Sequence, residues 1–285
     1  GYAIEYDSVP ADQITAWLET KQVEGLFHAG QINGTSGYEE AGAQGLIAGI
    51  NAVQYIRGEE PLILDRSQAY TGVLIDDLTT LGTREPYRLF TSRAEYRLLL
   101  REDNADLRLR DIGYKLGLVD TETYEVFNTK RKAIEKSLEK LEQTMIKPGP
   151  DVNGLLESLG SVALRQPCSL KDLLRRPEIS LADLEPFTAL EKDLASGVKR
   201  EVQLQIKYQG YIDRQSEQVA RFRKMESVGL PEDMNYTGLA GLSNEVIEKL
   251  TRVQPRSLGQ ASRISGVTPA AISVLQIHLR KMGHI

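Results

Sequence analysis

The chain has 285 residues, 41% of them hydrophobic, enough for one large or two ordinary cores. Its apolar runs fall short of the roughly 20 residues needed to cross a bilayer, which excludes a membrane-spanning helix; its one cysteine, Cys168, excludes an internal disulfide and fits a reducing compartment such as the cytoplasm. The formal charge of −5 hides a split: through residue 77, three Lys/Arg face 12 Asp/Glu, while the remainder carries 32 against 28, so an anionic polymer would sit on the later part.

The chain opens Gly1-Tyr-Ala-Ile-Glu-Tyr6 with no initiator Met and no leader, and it reads as a fragment of a longer protein. Residues 1–24 hold two extended pieces, around Ala3–Tyr6 and Gln22–Val23, and Gly25–His28 is expected to form a short buried strand. A polar turn punctuated by Gly30, Gly34 and Gly37 follows, in which Thr35 or Ser36 is placed to cap a helix starting at Tyr38. Ala41, Ala43, Gly45, Ala48, Gly49 and Ala52 make that helix thin enough to pack close against a sheet or ligand, and Arg57-Gly58 is its stop. Strand, loop and helix N-terminus in this order offer backbone N–H groups to an anionic ligand, although an ordinary strand–helix crossover has the same outline. No Gly-x-Gly-x-x-Gly occurs, so residues 1–58 read as the C-terminal part of an α/β nucleotide-binding domain without its phosphate-binding half.

Residues 59–112 read as a connecting segment broken by Pro61 and Pro86. Within it, Thr83–Arg101 packs Arg84, Arg88, Arg93, Arg97 and Arg101 among Tyr87, Phe90 and Tyr96. Arg93, Arg97 and Arg101 share a face whether the run is helical or extended. Guanidinium forks match phosphate oxygens and aromatics stack on unpaired bases; the same run also fits a surface patch paired with Glu85, Glu95, Glu102 and Asp103.

From Asp103 onward the chain reads as helix after helix. Thr121–Met145 carries Ile134, Leu138, Leu141 and Met145 at helical spacing. Ser169 and Ser180, each followed three residues later by an Asp, introduce two short helices. A long helical stretch at about 197–227 is expected to break near Gly210, which decides whether Arg200, Lys207, Arg214 and Arg221 align as a basic stripe. Three shorter helices close the chain, near Ser243–Val253, Ser257–Ile264 and Pro269–Met282; the last opens Pro269-Ala-Ala-Ile, which offers nothing to read a base edge and favours helical packing or partner docking. The expected domains are thus residues 1–58, the connecting segment 59–112, a helical domain 113–230 and a small helical subdomain 231–285. His28, His278 and His284 do not cluster, Cys168 reads as a small buried hydrophobe, and neither a catalytic nucleophile nor a metal site is expected.

Several long motifs together resemble one family. Phe27-His-Ala-Gly-Gln-Ile-Asn-Gly-Thr-Ser-Gly-Tyr-Glu-Glu40, Leu81-Gly-Thr-Arg-Glu-Pro-Tyr-Arg88, Thr91-Ser-Arg-Ala-Glu-Tyr-Arg97 and Arg101-Glu-Asp-Asn-Ala-Asp-Leu-Arg108 carry the likeness. So do Ile206-Lys-Tyr-Gln-Gly-Tyr211, Gly241-Leu-Ser-Asn-Glu-Val246 and Gln260-Ala-Ser-Arg-Ile-Ser-Gly-Val-Thr-Pro-Ala-Ala271. They resemble the C-terminal half of the MnmG (GidA) family of FAD-dependent tRNA wobble-uridine modification enzymes. The resemblance implies a mainly α chain: a C-terminal remnant of an α/β, Rossmann-like FAD-binding domain, then a multi-helix C-terminal region. It implies FAD as cofactor, NADH and methylenetetrahydrofolate as cosubstrates, glycine or ammonium as amine donor, an MnmE-like GTPase partner and a homodimer of the full protein. It assigns the FAD contact of this half to Gln31; Gly30, Asn33, Gly34, Thr35 and Tyr38 complete the expected cofactor-binding set. The five arginines are expected to guide the tRNA anticodon region, and the helical region to dock the GTPase. The reactive cysteines of the family lie in the other half and Cys168 matches none of them. A folate- and FAD-dependent tRNA uridine methyltransferase, a non-catalytic tRNA- and GTPase-binding helical module, and a small-molecule flavin reductase are the alternatives.

Overall fold

The computed structural model describes residues 7–81, 85–188, 190, 194–231 and 234–283; the extended piece expected at Ala3–Tyr6, Arg84 and His284 lie outside them. The chain is mainly helical, as expected, and it divides into two compact units, Gly1–Leu100 with Ser216–Ile285, and Arg101–Gln215. The contacts therefore group the first hundred residues with the last seventy, across the consecutive segments that the sequence suggested.

In the first unit, α1 (Tyr38–Arg57) buries Glu40, Gln44, Ile47, Ala48 and Asn51, one stripe at helical spacing. It ends as expected, with the Gly58 N–H bonded to Tyr55 O and the Glu59 N–H to Gln54 O. The opposite face carries Gly42, Gly45 and Gly49, where an added Cβ would meet nothing, beside the exposed side chains of Leu46, Val53 and Ile56. The strand expected at Gly25–His28 does not form. Phe27 makes one isolated bridge to Glu19, and Leu26 is exposed, because the segment has no ladder of partners among the described residues.

The connecting segment hides a helix that its apolar runs did not reveal. In α2 (Tyr70–Leu81), Gly72, Val73, Leu74, Ile75, Asp77, Leu78, Thr79 and Thr80 are all buried, so no polar face marks its period. The approach is tight at Gly72, where a Cβ would stand 2.3 Å from Asp65 O. Ile14, Leu18, Ile47 and Ile75 form one core cluster here, and Ala11, Leu74, Leu78 and Tyr87 another.

The second unit contains α3 (Ala105–Lys115), α4 (Thr121–Gln143), α5 (Pro150–Ser158), α6 (Leu170–Leu174) and most of α7 (Ser196–Glu226). Asp120 caps α4 by accepting from the Thr123 N–H at 2.7 Å. Past α4, β1 (Met145–Ile146) and β2 (Cys168–Ser169) form a short antiparallel clip. Ser169 caps α6, as its spacing to Asp172 predicts; the partner motif, Ser180 with Asp183, leads into the 3₁₀ turn Ala182–Phe187 rather than an α-helix. Leu141, Leu156, Leu170, Leu173, Leu174, Leu184 and Ile206 are the fully buried centre. Helix α7 is continuous through Gly210, contrary to expectation; the residue faces open space there, and one glycine costs a long helix only about 1 kcal/mol. The basic stripe still does not form as a free row, because Lys207 turns its ammonium onto Arg176 O at 2.6 Å.

The tail follows the sequence closely. Helices α8 (Asn244–Val253), α9 (Leu258–Arg263) and α10 (Pro269–Met282) are each capped by the hydroxyl just before them, from Ser243, Ser257 and Thr268. They close around Leu250, Leu258, Leu275 and Leu279, within the first unit.

Candidate cofactor loop and basic segment

Ala29 leads into a 3₁₀ turn at Gly30–Asn33, and Gly30 and Gly34 both lie at positive φ. One side chain on α1 holds this loop in shape. The Gln44 Oε1 accepts from the Gly30 N–H at 3.1 Å and from Asn33 Nδ2 at 2.9 Å, while its Nε2 donates to Thr35 Oγ1 at 3.0 Å and to Glu40 O. Gln44 is wholly buried, so every one of these bonds is made out of water. Thr35 is thereby engaged with Gln44 and does not cap α1; nor does Ser36. The N-cap is Gly37, without a side-chain cap, and a Cβ there would displace the Glu40 carboxylate from its present place. Glu40 is buried there and accepts from the Leu89 N–H at 2.8 Å. The positive end of the α1 dipole is therefore met first by a carboxylate of its own first turn.

Two polar atoms beside the loop are buried with no hydrogen-bond partner, Asn33 Oδ1 and His28 Nδ1. Buried polar atoms are rarely left unpaired in a folded protein, and these two need a partner from outside the chain, an ordered water or a bound group. Gln31 is half-buried, and Tyr38 stands almost fully exposed at the start of α1.

The arginine-rich segment is joined directly to this loop. Tyr87 pairs with Thr35 in a parallel bridge: its N–H donates to Gly34 O at 2.7 Å, and its C=O accepts from the Ser36 N–H at 3.0 Å. The run itself is neither helix nor strand, but turns through a short 3₁₀ segment at Thr91–Arg93 and again at Tyr96–Leu100. The expected shared face therefore breaks up. Arg88 and Arg97 are exposed and make no ion pair among the described residues. Arg93 is exposed too, with its guanidinium 4.5 Å from the centre of the Tyr87 ring and its Nε donating to Arg88 O. Arg101 goes elsewhere: it belongs to the second unit, where it donates to Glu201 at 2.9 Å and to Asp103 at 2.9 Å. Glu201 is buried, so Arg101 balances a charge inside its own unit.

A buried arginine that the sequence reading passed over anchors the segment from below. Arg66, 5% exposed, donates to Asp76, Asp77 and Glu95. Burial works against its charge, but these carboxylates outweigh that and hold it firmly protonated. Arg263 of α9 reaches the same cluster through Asp76 and Glu226. Tyr87 is itself held in its neutral form, by burial first and then by its hydrogen bond to Asp77. Cys168 is half-buried, and burial raises its thiol pKa, which fits a structural role. Among the described residues no group of His, Cys, Asp and Glu could hold a metal ion.

A glycine-rich loop at a helix N-terminus, flanked by exposed arginines and followed by a capped helical bundle, defines a mainly helical protein with one candidate binding loop. Comparison with known proteins narrows the class. Residues 1–60 match the family model "Glucose inhibited division protein A", residues 121–216 the "tRNA modifying enzyme MnmG/GidA C-terminal helical domain", and residues 218–284 the corresponding "C-terminal helical bundle". The tRNA uridine 5-carboxymethylaminomethyl modification enzyme MnmG of Desulfotalea psychrophila is 58% identical over all of this chain, which spans 45% of that relative. The enzyme of the same name from Caldicellulosiruptor saccharolyticus is 55% identical over 98% of this chain, again 45% of the relative. Aquifex aeolicus GidA, in its form II crystal, superposes with a TM-score of 0.83 at 42% identity, over 95% of this chain and 43% of that one. The chain belongs to the MnmG/GidA family, and it spans less than half the length of these relatives.

Proposed function

We propose that this chain is the C-terminal part of an FAD-dependent enzyme that adds a carboxymethylaminomethyl or aminomethyl group to C5 of the tRNA wobble uridine. The observation that carries the reading is the Thr35–Tyr87 bridge. It makes the candidate cofactor loop and the segment bearing Arg88, Arg93 and Arg97 immediate neighbours within one unit. A polyanion held by those guanidinium groups would bring its unpaired base toward the loop.

Gly30, Gln31, Asn33, Gly34 and Thr35 would hold the flavin, with Asn33 Oδ1 and His28 Nδ1 as the unspent polar atoms on their side. Bound FAD would supply the redox chemistry of the reaction. Gln44 keeps the loop in its binding shape before the cofactor arrives, so little ordering is left for binding to drive. Arg88 and Arg97 supply phosphate contacts, joined by Arg84; Arg101 contributes through the stability of its own unit. NADH, methylenetetrahydrofolate and glycine or ammonium serve as cosubstrates of the whole protein, with the remaining half of the sequence completing the FAD site and covering the glycine face of α1. The helical C-terminal region docks a GTPase partner, and the whole enzyme works as a homodimer in the cytoplasm. No described helix is long and apolar enough to cross a membrane.

The test uses the full-length protein. Gln31→Ala is expected to weaken FAD binding, seen as loss of the yellow flavin absorbance on gel filtration, and to abolish wobble-uridine modification scored by nucleoside analysis of the tRNA. Full flavin retention and wild-type modification by Gln31→Ala would overturn the assignment of the loop.

A further inference from the structure

Helix α2 lies behind both halves of the proposed site and presents two consecutive acids that share Arg66 and differ in their other partners. Asp76 serves Arg66 and Arg263. Asp77, 3% exposed, serves the site. Its Oδ1 accepts from Arg66 Nη1 at 2.5 Å and its Oδ2 from the Tyr87 hydroxyl at 2.8 Å, and Arg93 Nη1 stands 3.7 Å from the same Oδ2. Tyr87 is clamped to the cofactor loop by two backbone hydrogen bonds, and its ring lies under the Arg93 guanidinium. One buried carboxylate thus holds, through one tyrosine, the loop on one side and the exposed Arg93 on the other. Arg66 is what makes the arrangement affordable, since a buried carboxylate left unpaired would be driven to neutralise.

From this geometry we infer that Asp77 is a positioning residue, acting through Tyr87 to set the cofactor loop and Arg93 at a fixed separation, an inference that rests on the functional reading above. Asp77 is buried, so its route to any ligand runs through Tyr87 and Arg93. If its only task were to balance Arg66, the Tyr87 hydroxyl would be dispensable, because the ion pair survives its removal.

The experiment compares Tyr87→Phe, Asp77→Asn, the double variant and a remote core variant, Leu250→Ala, in the full-length FAD-bound protein. FAD affinity, hydrogen exchange of residues 30–36 with and without FAD, and tRNA affinity are measured for each. Tyr87→Phe is expected to weaken FAD binding about tenfold, the worth of one hydrogen bond to a charged group, and to speed exchange in the loop. Asp77→Asn should weaken FAD at least as much and also weaken tRNA binding several-fold, since Arg93 loses its anchor. The double variant should match Asp77→Asn for FAD, because the two residues act in series. Leu250→Ala should lower the melting temperature and move neither affinity. Wild-type loop exchange in Tyr87→Phe, or full additivity in the double variant, would overturn the inference. Gln31→Ala separates the two levels: an unmoved FAD affinity there refutes the functional reading, while loop exchange in the FAD-free Tyr87→Phe protein still decides the positioning role.

Discussion

Gln44→Ala tests the claim that one buried amide shapes the cofactor loop. The substitution removes the acceptor of the Gly30 N–H and of Asn33 Nδ2 and the donor to Thr35. Asn33 keeps its bond to His28 O at 3.1 Å, so the groups left stranded are the Gly30 N–H and the buried Thr35 hydroxyl, each at a cost of about 1–3 kcal/mol. Loss of packing around the emptied site adds about 1 kcal/mol, for an expected destabilisation of roughly 3–7 kcal/mol. Gln44→Met restores most of the volume without the bonds, so it should recover only the packing part. Urea unfolding followed by tryptophan emission is the assay: the single tryptophan, Trp17, lies in the same unit, and Asn51 of α1 donates to its carbonyl. A Gln44→Ala protein within about 0.5 kcal/mol of wild type would refute the reasoning, the range expected of a surface change.

Other substitutions separate structural from functional roles. Gly72→Ala forces a Cβ against Asp65 O and should cost about 3 kcal/mol or more, while Gly210→Ala, in open space on α7, should stabilise by about 0.5–1 kcal/mol; thermal melts of the two read opposite signs. In the full protein, Arg88→Ala or Arg97→Ala should weaken tRNA binding and lower the slope of log affinity against log salt by about 1 each. Arg101→Ala should leave that slope alone and destabilise its unit, since it strands buried Glu201. Burial pushes the Tyr236 hydroxyl up to about 12 from an ordinary value of 10.0, so the folded form favours the neutral phenol. The stability this gives is whole below pH 10 and is lost as pH rises toward 12; an alkaline titration of unfolding should flatten by about 3 kcal/mol in Tyr236→Phe.

What the sequence disclosed, it disclosed through local chemistry. Ser243, Ser257 and Thr268 announce their helices because a hydroxyl at an N-cap does the same work in any fold. The long α4 is readable because Ile134 and Leu141 recur on one face of an otherwise charged run. Helix α2 was missed for the opposite reason: with nearly every side chain buried it has no wet face, and period cannot be read without contrast. The strand at Gly25–His28 was expected from composition, but a strand exists only where its backbone finds partners, and Phe27 finds one. The loop itself was legible from its glycines, whereas its supports were not. Gln44 reaches the loop, and Asp77 reaches Arg66 and Tyr87, across separate turns of chain, and each meeting is a product of tertiary packing. One hint was available: Asp76 and Asp77 interrupt the apolar run Val73–Leu78, and adjacent acids in such a setting require a buried cation.

The bare side of α1 has a practical consequence. Leu46, Val53 and Ile56 lie open to solvent along a ridge lowered by Gly42, Gly45 and Gly49, so two copies of this polypeptide in concentrated solution have a smooth, greasy rail on which to stick. Purified alone, it would call for dilute handling or a few charged replacements along that rail.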